Sequence, residues 1–278
     1  MDTSAINTAR NLIDSDTVVF WLRRDLRTKD NAGLYHALKE NINVVLLFVF
    51  DTVLPEARDR KDARVQFILR SLAALHKALE THRSGLLVLS GNPVDIFREL
   101  RPKAVYANRD YEPYGIRRDE AVDAILRDKG SSLKTFKDHV IFEKKEITKN
   151  DGSPYTVYTP YRNKWKEMLH PSLIRQYPSE KYLHHLKRFQ PPPMPELEAT
   201  ESDQPATAFP GRDLPQQVLE NYHLHRDYPA LEGTSRLGVH LRFGTVSIRK
   251  LVSLGSSHEA WLNELIWRDF FQTSLRQD

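Results

Sequence analysis

The amino-acid sequence predicts an α/β domain with a five-stranded parallel sheet, doubly wound by helices, followed by a linker and a helical segment. Three observations lead to this prediction. Short apolar runs alternate with helical patterns five times between residues 17 and 136. Each run is bounded by polar residues, as expected for strands that are buried on both faces of a parallel sheet. From residue 214 onward the apolar spacing is helical.

The elements of the predicted sheet follow one another in a regular order. The first strand is expected at 17–22, and the loop at 23–27 (Arg-Arg-Asp-Leu-Arg) is expected to be held by an Arg/Asp network. Asp30 is the predicted N-cap of the first helix, 31–40. The other strands are predicted at 43–50, 86–90, 104–107 and 133–136, and the other helices at about 60–82, 93–100 and 116–129. A ligand of such a sheet lies beyond the carboxyl ends of the strands, but no G-x-G-x-x-G motif follows the first strand.

The segments outside the predicted sheet have a different composition. Residues 1–16 are mostly polar, and we expect them to be frayed. Between Lys144 and Arg188, ten Lys and Arg residues stand against four Asp and Glu, a net charge of +6. This pattern is typical of a surface that faces nucleic-acid phosphates and equally of a solvated linker. Because the prolines at 190–195 cannot continue a helix, the predicted division is an α/β domain at 16–145, a linker at 146–212 and a helical domain at 213–278.

Composition excludes several classes of protein. The 278 residues include no cysteine, so disulfides and thiolate metal sites are excluded, and a cytoplasmic location is expected. The 11 histidines show no ligand spacing, so no metal site is predicted. No apolar run is long enough to span a membrane, and no signal peptide opens the chain.

One helix near the C-terminus has an unusual face. Trp261, Glu264, Trp267, Arg268 and Phe271 are spaced three or four residues apart, so a helix brings them to one side. A carboxylate between two indoles indicates a pocket for a flat aromatic ligand that is rich in hydrogen-bonding groups. The alternative is ordinary core packing by the tryptophans, with an i,i+4 ion pair between Glu264 and Arg268.

A second pattern lies upstream of this helix. Gly233-Thr234-Ser235 is predicted to form a turn and an N-cap, with a helix from Arg236. The free amides and the positive dipole end of such a helix form an anion site, and the two hydroxyls add donors. A simple capped helix is the alternative. Further along, Gly244 is predicted to end this helix and Ser247 to cap the next one.

Several motifs occur together in the order typical of one known family. In the C-terminal third they are Tyr222, Arg226, Pro229-Ala230, Glu232 through Leu237, and Trp261 through Arg268. This part resembles the start of the flavin-binding domain of DNA photolyases and cryptochromes, and it is most similar to class I cyclobutane pyrimidine dimer photolyases. Further similar segments are Phe20 through Arg27 with Asp30-Asn31, Asn108 through Gly115, and Tyr155 through Trp165.

The resemblance implies a deoxyribodipyrimidine photo-lyase. In that family, light-excited reduced FAD passes an electron to a pyrimidine dimer flipped out of DNA, and the dimer then splits. By resemblance, Trp267 stacks on the dimer, Glu264 hydrogen-bonds its carbonyl and imide edge, and Arg226 contacts the DNA backbone. The positions that would surround FAD are Tyr222, Thr234, Ser235, Arg236, Leu237, Gly238, Trp261, Glu264, Arg268 and Phe271.

The sequence departs from the family at two sites. Gly238 stands where family members commonly have a serine, so a hydroxyl that would bond the pyrophosphate of FAD is missing, which predicts weakened binding. The family's α/β domain often holds a light-harvesting antenna, and the loop Asn108 through Gly115 is similar to the region near it. Folate-binding members carry Asn-Glu where this chain has Tyr114-Gly115. Folate is therefore disfavoured, while a deazaflavin, a flavin or no antenna remains open.

The resemblance covers nearly all of this chain but only about the first three-fifths of a family member. We therefore expect a fragment, a truncated product or half of a split protein that holds FAD weakly or not at all. Its partners would be damaged DNA and either a complementing C-terminal fragment or a second copy of itself. Two other functions are compatible with the sequence: a cryptochrome-type blue-light photoreceptor, and a non-catalytic α/β domain that binds a nucleotide or an antenna.

Overall fold

The computed structural model describes residues 3–54, 62–143, 145–194 and 208–274. Five parallel strands form one sheet in the order β3-β2-β1-β4-β5. The predicted α/β class and all five predicted strands are thus confirmed. The strands are β1 Val18–Leu22, β2 Val44–Asp51, β3 Leu86–Gly91, β4 Ala104–Asn108 and β5 Leu133–Phe136.

Helices connect these strands and continue beyond the sheet. Those of the α/β domain are α1 Thr3–Leu12, α2 Ala32–Glu40, α3 Ala63–Glu80, α4 Pro93–Glu99 and α5 Pro113–Asp128. The helices α6 to α11, here called the helical lobe, are Tyr158–Met168, Gln216–Glu220, Tyr222–His225, Gly238–Arg242, Ile248–Gly255 and Glu259–Ser274. Short 3₁₀ helices lie at Pro171–Ile174 and Ser179–His185. The predicted start of the long helix at residue 60 lies outside the described residues.

The sheet is covered on both faces because side chains alternate along each strand. On β1, Val18, Phe20 and Leu22 belong to one apolar cluster, which includes residues of α2 and α3. Val19 and Trp21 belong to a second cluster on the opposite face, with residues of α1, α4 and α5. The predicted doubly wound arrangement is therefore correct.

Two local predictions for the α/β domain are wrong. Residues 3–12 form a helix rather than a frayed end, because Ile6, Ala9 and Ile13 recur on one face and are buried against the sheet. The N-cap of α2 is Asn31, whose side chain accepts a hydrogen bond from the Leu34 amide. Asp30 instead adopts a positive φ of 48° and points its carboxylate towards the helical lobe.

The helical lobe has its own apolar core. Trp165 and Tyr161 on α6 are fully buried in it, although both lie in the segment predicted as a linker. The 3₁₀ helix at 179–185 packs on the sheet domain instead, through Leu183. The predicted domain boundaries remain a prediction. Gly244 follows the end of α9 at φ +63°, and Ser247 caps α10 by accepting a hydrogen bond from the Lys250 amide, as predicted.

Two kinds of feature are absent from the described part of the chain. None of its helices is both long and apolar enough to cross a membrane. Its His, Asp and Glu side chains do not gather in a group of three or more that could hold a metal ion.

A buried ion network joins the lobe to the sheet domain. Arg249, on α10, donates to Asp138 at 2.7 Å and to Asp30 at 2.9 Å. Arg27 donates to the second oxygen of Asp138 at 2.6 Å. All four side chains are 8% exposed or less. Although burial opposes it, the two arginines hold the pKa of Asp138 well below its ordinary value. We call these four residues the clasp.

Removing the lobe's contribution to the clasp should destabilise the whole protein. Arg249→Met is expected to lower the free energy of unfolding by about 3–5 kcal/mol, because it leaves a buried carboxylate without its cation. Urea denaturation at pH 7 measures this loss. Lys250→Met, at the neighbouring exposed position, is the control and should change stability by less than about 0.5 kcal/mol. Similar values for the two variants would contradict the role given to the clasp.

Candidate functional site

A cleft of about 330 Å³ opens at the carboxyl ends of the strands. Its position is that expected of a parallel sheet whose strand order reverses between β1 and β4, because the loops that leave the two strands separate there. The residues that line it are Trp21, Arg23, Arg24, Phe48, Val49, Phe50, Asp51, Leu54, Arg64, Val65, Ile68, Pro93, Asp110, Glu112, Tyr114, Gly115, Arg118, Arg242 and Phe243.

The loop after β1 is held in the predicted Arg/Asp network. Arg23 pairs with Asp119 and also donates to the Asn108 carbonyl. Although burial opposes it, Asp119 and Asp110 raise the pKa of Arg23. The guanidinium groups of Arg23 and Arg118 lie 4.8 and 5.0 Å from the Trp21 ring centroid. Two guanidinium groups thus pack against the aromatic floor of the cleft.

The cleft also touches the helical lobe. Arg242 at the end of α9 pairs with Glu112 at 3.2 Å, and Phe243 lines the same wall. Among the described lining residues, five arginines stand against three carboxylates. Each of these arginines also pairs with a carboxylate in or beside the cleft. A cleft with an aromatic floor and several guanidinium donors is suited to a planar ligand that carries an anionic group.

A second group of predicted site residues meets on the helical lobe. Glu264 on α11 accepts a hydrogen bond from Arg226 at 2.5 Å, and both side chains are about a third exposed. Hydrogen bonding to Glu264 raises the pKa of Arg226, whose guanidinium also lies 5.5 Å from the Tyr222 ring centroid. The alternative ion pair between Glu264 and Arg268 is wrong, because Arg268 donates to the His139 carbonyl at 2.6 Å.

The predicted common face of α11 is divided between core and surface. Trp261 is 3% exposed and packs edge-on against Tyr222, as ordinary core packing predicts. Trp267 is partly exposed, and Phe271 is 59% exposed. A helix turns about 100° per residue, so the five predicted positions spread over about 120° of its circumference. Trp261 therefore turns inward and Trp267 outward.

The predicted anion site is built differently from the expectation. The helix begins at Gly238 rather than Arg236, and it is only five residues long. Arg236 adopts φ +53°, which interrupts the helix, and its side chain pairs with Glu232 at 2.7 Å. Ser235 Oγ accepts a 3.4 Å hydrogen bond from the Leu237 amide, within the turn. Leu237 is 1% exposed, whereas Thr234 and Gly238 are exposed.

Sequence reasoning missed two residues that contact the predicted site helix. The Tyr158 ring stacks on Trp267, with ring centroids 3.5 Å apart and planes 7° from parallel. Asp269 is 1% exposed and accepts hydrogen bonds from the Trp165 indole at 3.1 Å and the Ile141 amide at 3.1 Å. Burial raises the pKa of Asp269 to about 6. The sequence could have indicated Asp269, because it is a carboxylate within the apolar run of α11. No local sequence feature indicated the role of Tyr158.

Asp269 should make the stability of the protein depend on pH. Its pKa is raised in the folded state, so the stability it contributes is full below about pH 4 and is lost as pH rises through about 6. The whole loss amounts to about 3 kcal/mol between about pH 4 and pH 6, of which about 1.4 kcal/mol falls above pH 5. The side chain of the Asp269→Asn variant cannot ionise. Its free energy of unfolding should therefore rise relative to that of the wild type when the pH is raised from 5 to 8.

Urea unfolding at the two pH values measures this difference. Glu167→Gln, at an exposed position on α6, is the control and should follow the wild type at both. If Asp269→Asn and the wild type kept a constant difference in stability from pH 5 to pH 8, the raised pKa would be disproved.

The sequence and the fold agree with one family of proteins. The sequence model of the DNA photolyase family matches residues 18–181, which is more than half of the chain. The chain belongs to the DNA photolyase family. This finding confirms the predicted resemblance for the sheet domain and the segment that follows it.

Individual relatives extend the similarity into the helical lobe. A deoxyribodipyrimidine photo-lyase of Synechococcus sp. strain PCC 6301 is 30% identical over 291 residues, 93% of this chain and 60% of that enzyme. An uncharacterized 31.6 kDa protein from the atpI 5′ region of Synechococcus sp. strain PCC 6716 is 31% identical over 292 residues, 91% of this chain and 98% of that protein.

A solved structure supports the same fold. The crystal structure of an archaeal photolyase from Sulfolobus tokodaii with two FAD molecules is 26% identical, with a TM-score of 0.65. The similarity covers 92% of this chain and 59% of that one. The chain thus spans about three-fifths of the length of the photo-lyases that it matches.

Proposed function

We propose that this chain provides the lesion-facing and flavin-facing residues of a light-driven, FAD-dependent DNA photolyase that acts on cyclobutane pyrimidine dimers in the cytoplasm. The observation that carries the proposal is the group formed by Glu264, Arg226 and Trp267. A carboxylate, a guanidinium and a partly exposed indole lie together on one surface of the lobe. Because the chain belongs to the DNA photolyase family, we interpret this group as a surface that binds damaged DNA.

Each member of the group has a role in binding a flipped dimer. Flipping costs a few kcal/mol, less for a damaged pair, and stacking on an aromatic ring returns about 1–3 kcal/mol per base. Trp267 supplies that stacking surface. Glu264 bonds the imide edge of the dimer and, when protonated, its carbonyl oxygen. Arg226 orients Glu264 and supplies positive charge for the DNA backbone.

The flavin site is proposed on the turn before α9. A bound reduced flavin supplies a light-driven electron to the dimer. The described residues fit an anionic dinucleotide at this turn, because Thr234 and Gly238 are exposed and no atom lies within 4 Å of a Cβ placed on Gly238. Ser235, Arg236 and Leu237 would hold the phosphates through this turn. Tyr222, Glu264, Arg268 and Phe271 would enclose the rings, with Trp261 packed behind Tyr222.

The cleft of the sheet domain is proposed as the antenna site. Its aromatic floor and its excess of arginines favour a planar, anionic chromophore such as a flavin or a deazaflavin. The photolyase from Sulfolobus tokodaii was solved with two FAD molecules, which implied a novel light-harvesting cofactor there. Folate is disfavoured, because positions 114 and 115 do not suit the Asn-Glu pair of folate-binding members. The Tyr114 hydroxyl donates a hydrogen bond to Asp51 at 2.6 Å, and a Cβ on Gly115 would lie 2.4 Å from the Asp110 carboxyl carbon.

The proposed repair function predicts a selective loss in Trp267→Ala. This variant should weaken binding to dimer-containing DNA by about 1–3 kcal/mol, the value of one stacked base. Binding to undamaged duplex should change little, because phosphate electrostatics dominate it. Fluorescence anisotropy with matched damaged and undamaged oligonucleotides measures both affinities.

Two results would contradict the repair function. One is an equal loss on both DNAs in Trp267→Ala, which would make Trp267 a packing residue. The other is a wild-type protein that does not distinguish damaged from undamaged DNA. Leu254→Ala, at an exposed position on the neighbouring helix α10, is the control for non-specific effects on the lobe.

The missing serine at position 238 gives a test of the flavin site. Gly238→Ser should strengthen FAD binding by up to about 3 kcal/mol, because its hydroxyl can donate a hydrogen bond to the charged pyrophosphate. Gly238 has open space around it, so the new side chain does not clash. Gly238→Ala is the matched control and should bind as the wild type does. Quenching of flavin fluorescence on titration with protein measures the affinity, and equal affinities for Ser and Ala would exclude a phosphate contact at this position.

A further inference from the structure

Tyr158 is held to the same helix as Trp267 by two contacts. Its ring lies parallel to the indole, with centroids 3.5 Å apart. Its hydroxyl donates to the Asn263 carbonyl at 2.8 Å. In an α-helix the carbonyl of residue 263 accepts the backbone amide of residue 267. The tyrosine therefore contacts both the side chain of Trp267 and the turn of backbone that carries it.

Tyr158 is itself fixed to the core of the lobe. It is the first residue of α6, whose Tyr161 and Trp165 are fully buried. Burial raises the pKa of Tyr158 to about 12, so its hydroxyl remains a donor at neutral pH. The ring is thus a rigid support rather than a mobile surface group.

The other rings around Trp267 cannot fix its orientation as well. Phe270 meets the indole at 72°, edge to face, with centroids 5.7 Å apart. Phe271 also stacks on the indole, with planes 22° apart and centroids 5.4 Å apart, but it is 59% exposed and therefore a weaker support. Only the Tyr158 contact, among the ring contacts of the described residues, combines parallel planes with an anchor to the helix backbone.

We propose that Tyr158 is a positioning residue for lesion recognition, which holds the Trp267 indole in one orientation for stacking with a flipped pyrimidine. This inference rests on the proposed repair function. A pyrimidine stacks productively only if the indole is already oriented, because ordering a side chain on binding weakens the complex. Tyr158 removes that cost by ordering the indole before DNA arrives.

The orientation of Trp267 is tested first, without DNA. The chain has four tryptophans, and Trp21, Trp165 and Trp261 are each 3% exposed or less. Acrylamide quenching of tryptophan fluorescence therefore reports mainly on Trp267, with Trp267→Phe as the blank. Tyr158→Leu should increase the quenching, because one face of the indole is uncovered. Tyr158→Phe keeps the ring and should behave nearly as the wild type does.

The second measurement is DNA selectivity, the ratio of the affinities for dimer-containing and undamaged oligonucleotides. Tyr158→Leu should lower this ratio by about three- to tenfold, the effect of leaving one side chain to be ordered on binding. Tyr158→Phe should restore most of it. Tyr155→Leu, which removes a partly buried ring of the same segment that contacts Tyr161, is the control for general loosening of the lobe.

The outcomes separate this inference from the function on which it rests. If the wild type shows no preference for damaged DNA, the proposed function fails, while the quenching result still tests the support of Trp267. If the wild type is selective but Tyr158→Leu keeps its selectivity, Tyr158 is only a packing residue. If Tyr158→Leu binds damaged DNA more tightly, the tyrosine occupies the place of the base, and the inference is overturned.

Discussion

The buried clasp is the interaction on which the rest of this structure depends. Arg249 of the lobe enters a site where Asp30 and Asp138 are almost fully buried, and each carboxylate needs a cation there because its hydration has been lost. The same network fixes the turn after α9, since Arg27 donates to the Gly244 carbonyl at 2.9 Å. At this turn the two parts of the chain touch: a Cβ on Gly244 would lie 2.0 Å from the Arg24 carbonyl oxygen. The position of α9 therefore follows from the clasp.

Helix α9 links the two candidate sites. Gly238 at its start belongs to the proposed flavin site, and Arg242 at its end lies in the wall of the cleft. These positions are separated by about 6 Å along the helix axis. A ligand in the cleft and a dinucleotide at the turn would thus contact opposite ends of one short, rigid element. This geometry suits two chromophores that must keep a fixed relative position, as a proposed antenna and a proposed flavin would.

Helix α11 contributes to both the core of the lobe and the proposed recognition surface. Its inner face carries Asp269, which ties the indole of Trp165 and the backbone at 141–142 to the helix. Its outer face carries Glu264 and Trp267, each held by a residue from elsewhere in the chain. The carboxylate and the indole proposed for repair are therefore pre-organised by Arg226 and Tyr158. Pre-organisation of this kind is what allows a few side chains to select a damaged base pair.

Local pattern alone determined the strands, the order of the elements and the motifs that resemble the photolyase family. Apolar runs such as Val18–Leu22 and Val44–Asp51 specify strands because they are short, continuous and bounded by polar residues, as expected for strands buried on both faces of a sheet. Only the tertiary structure decided the pairing of Arg226 with Glu264, the stacking of Tyr158 on Trp267 and the inward turn of Trp261. These contacts join residues that lie far apart in the chain or depend on which side of a helix meets the core. Such relations follow from how the elements pack, and no local spacing encodes them.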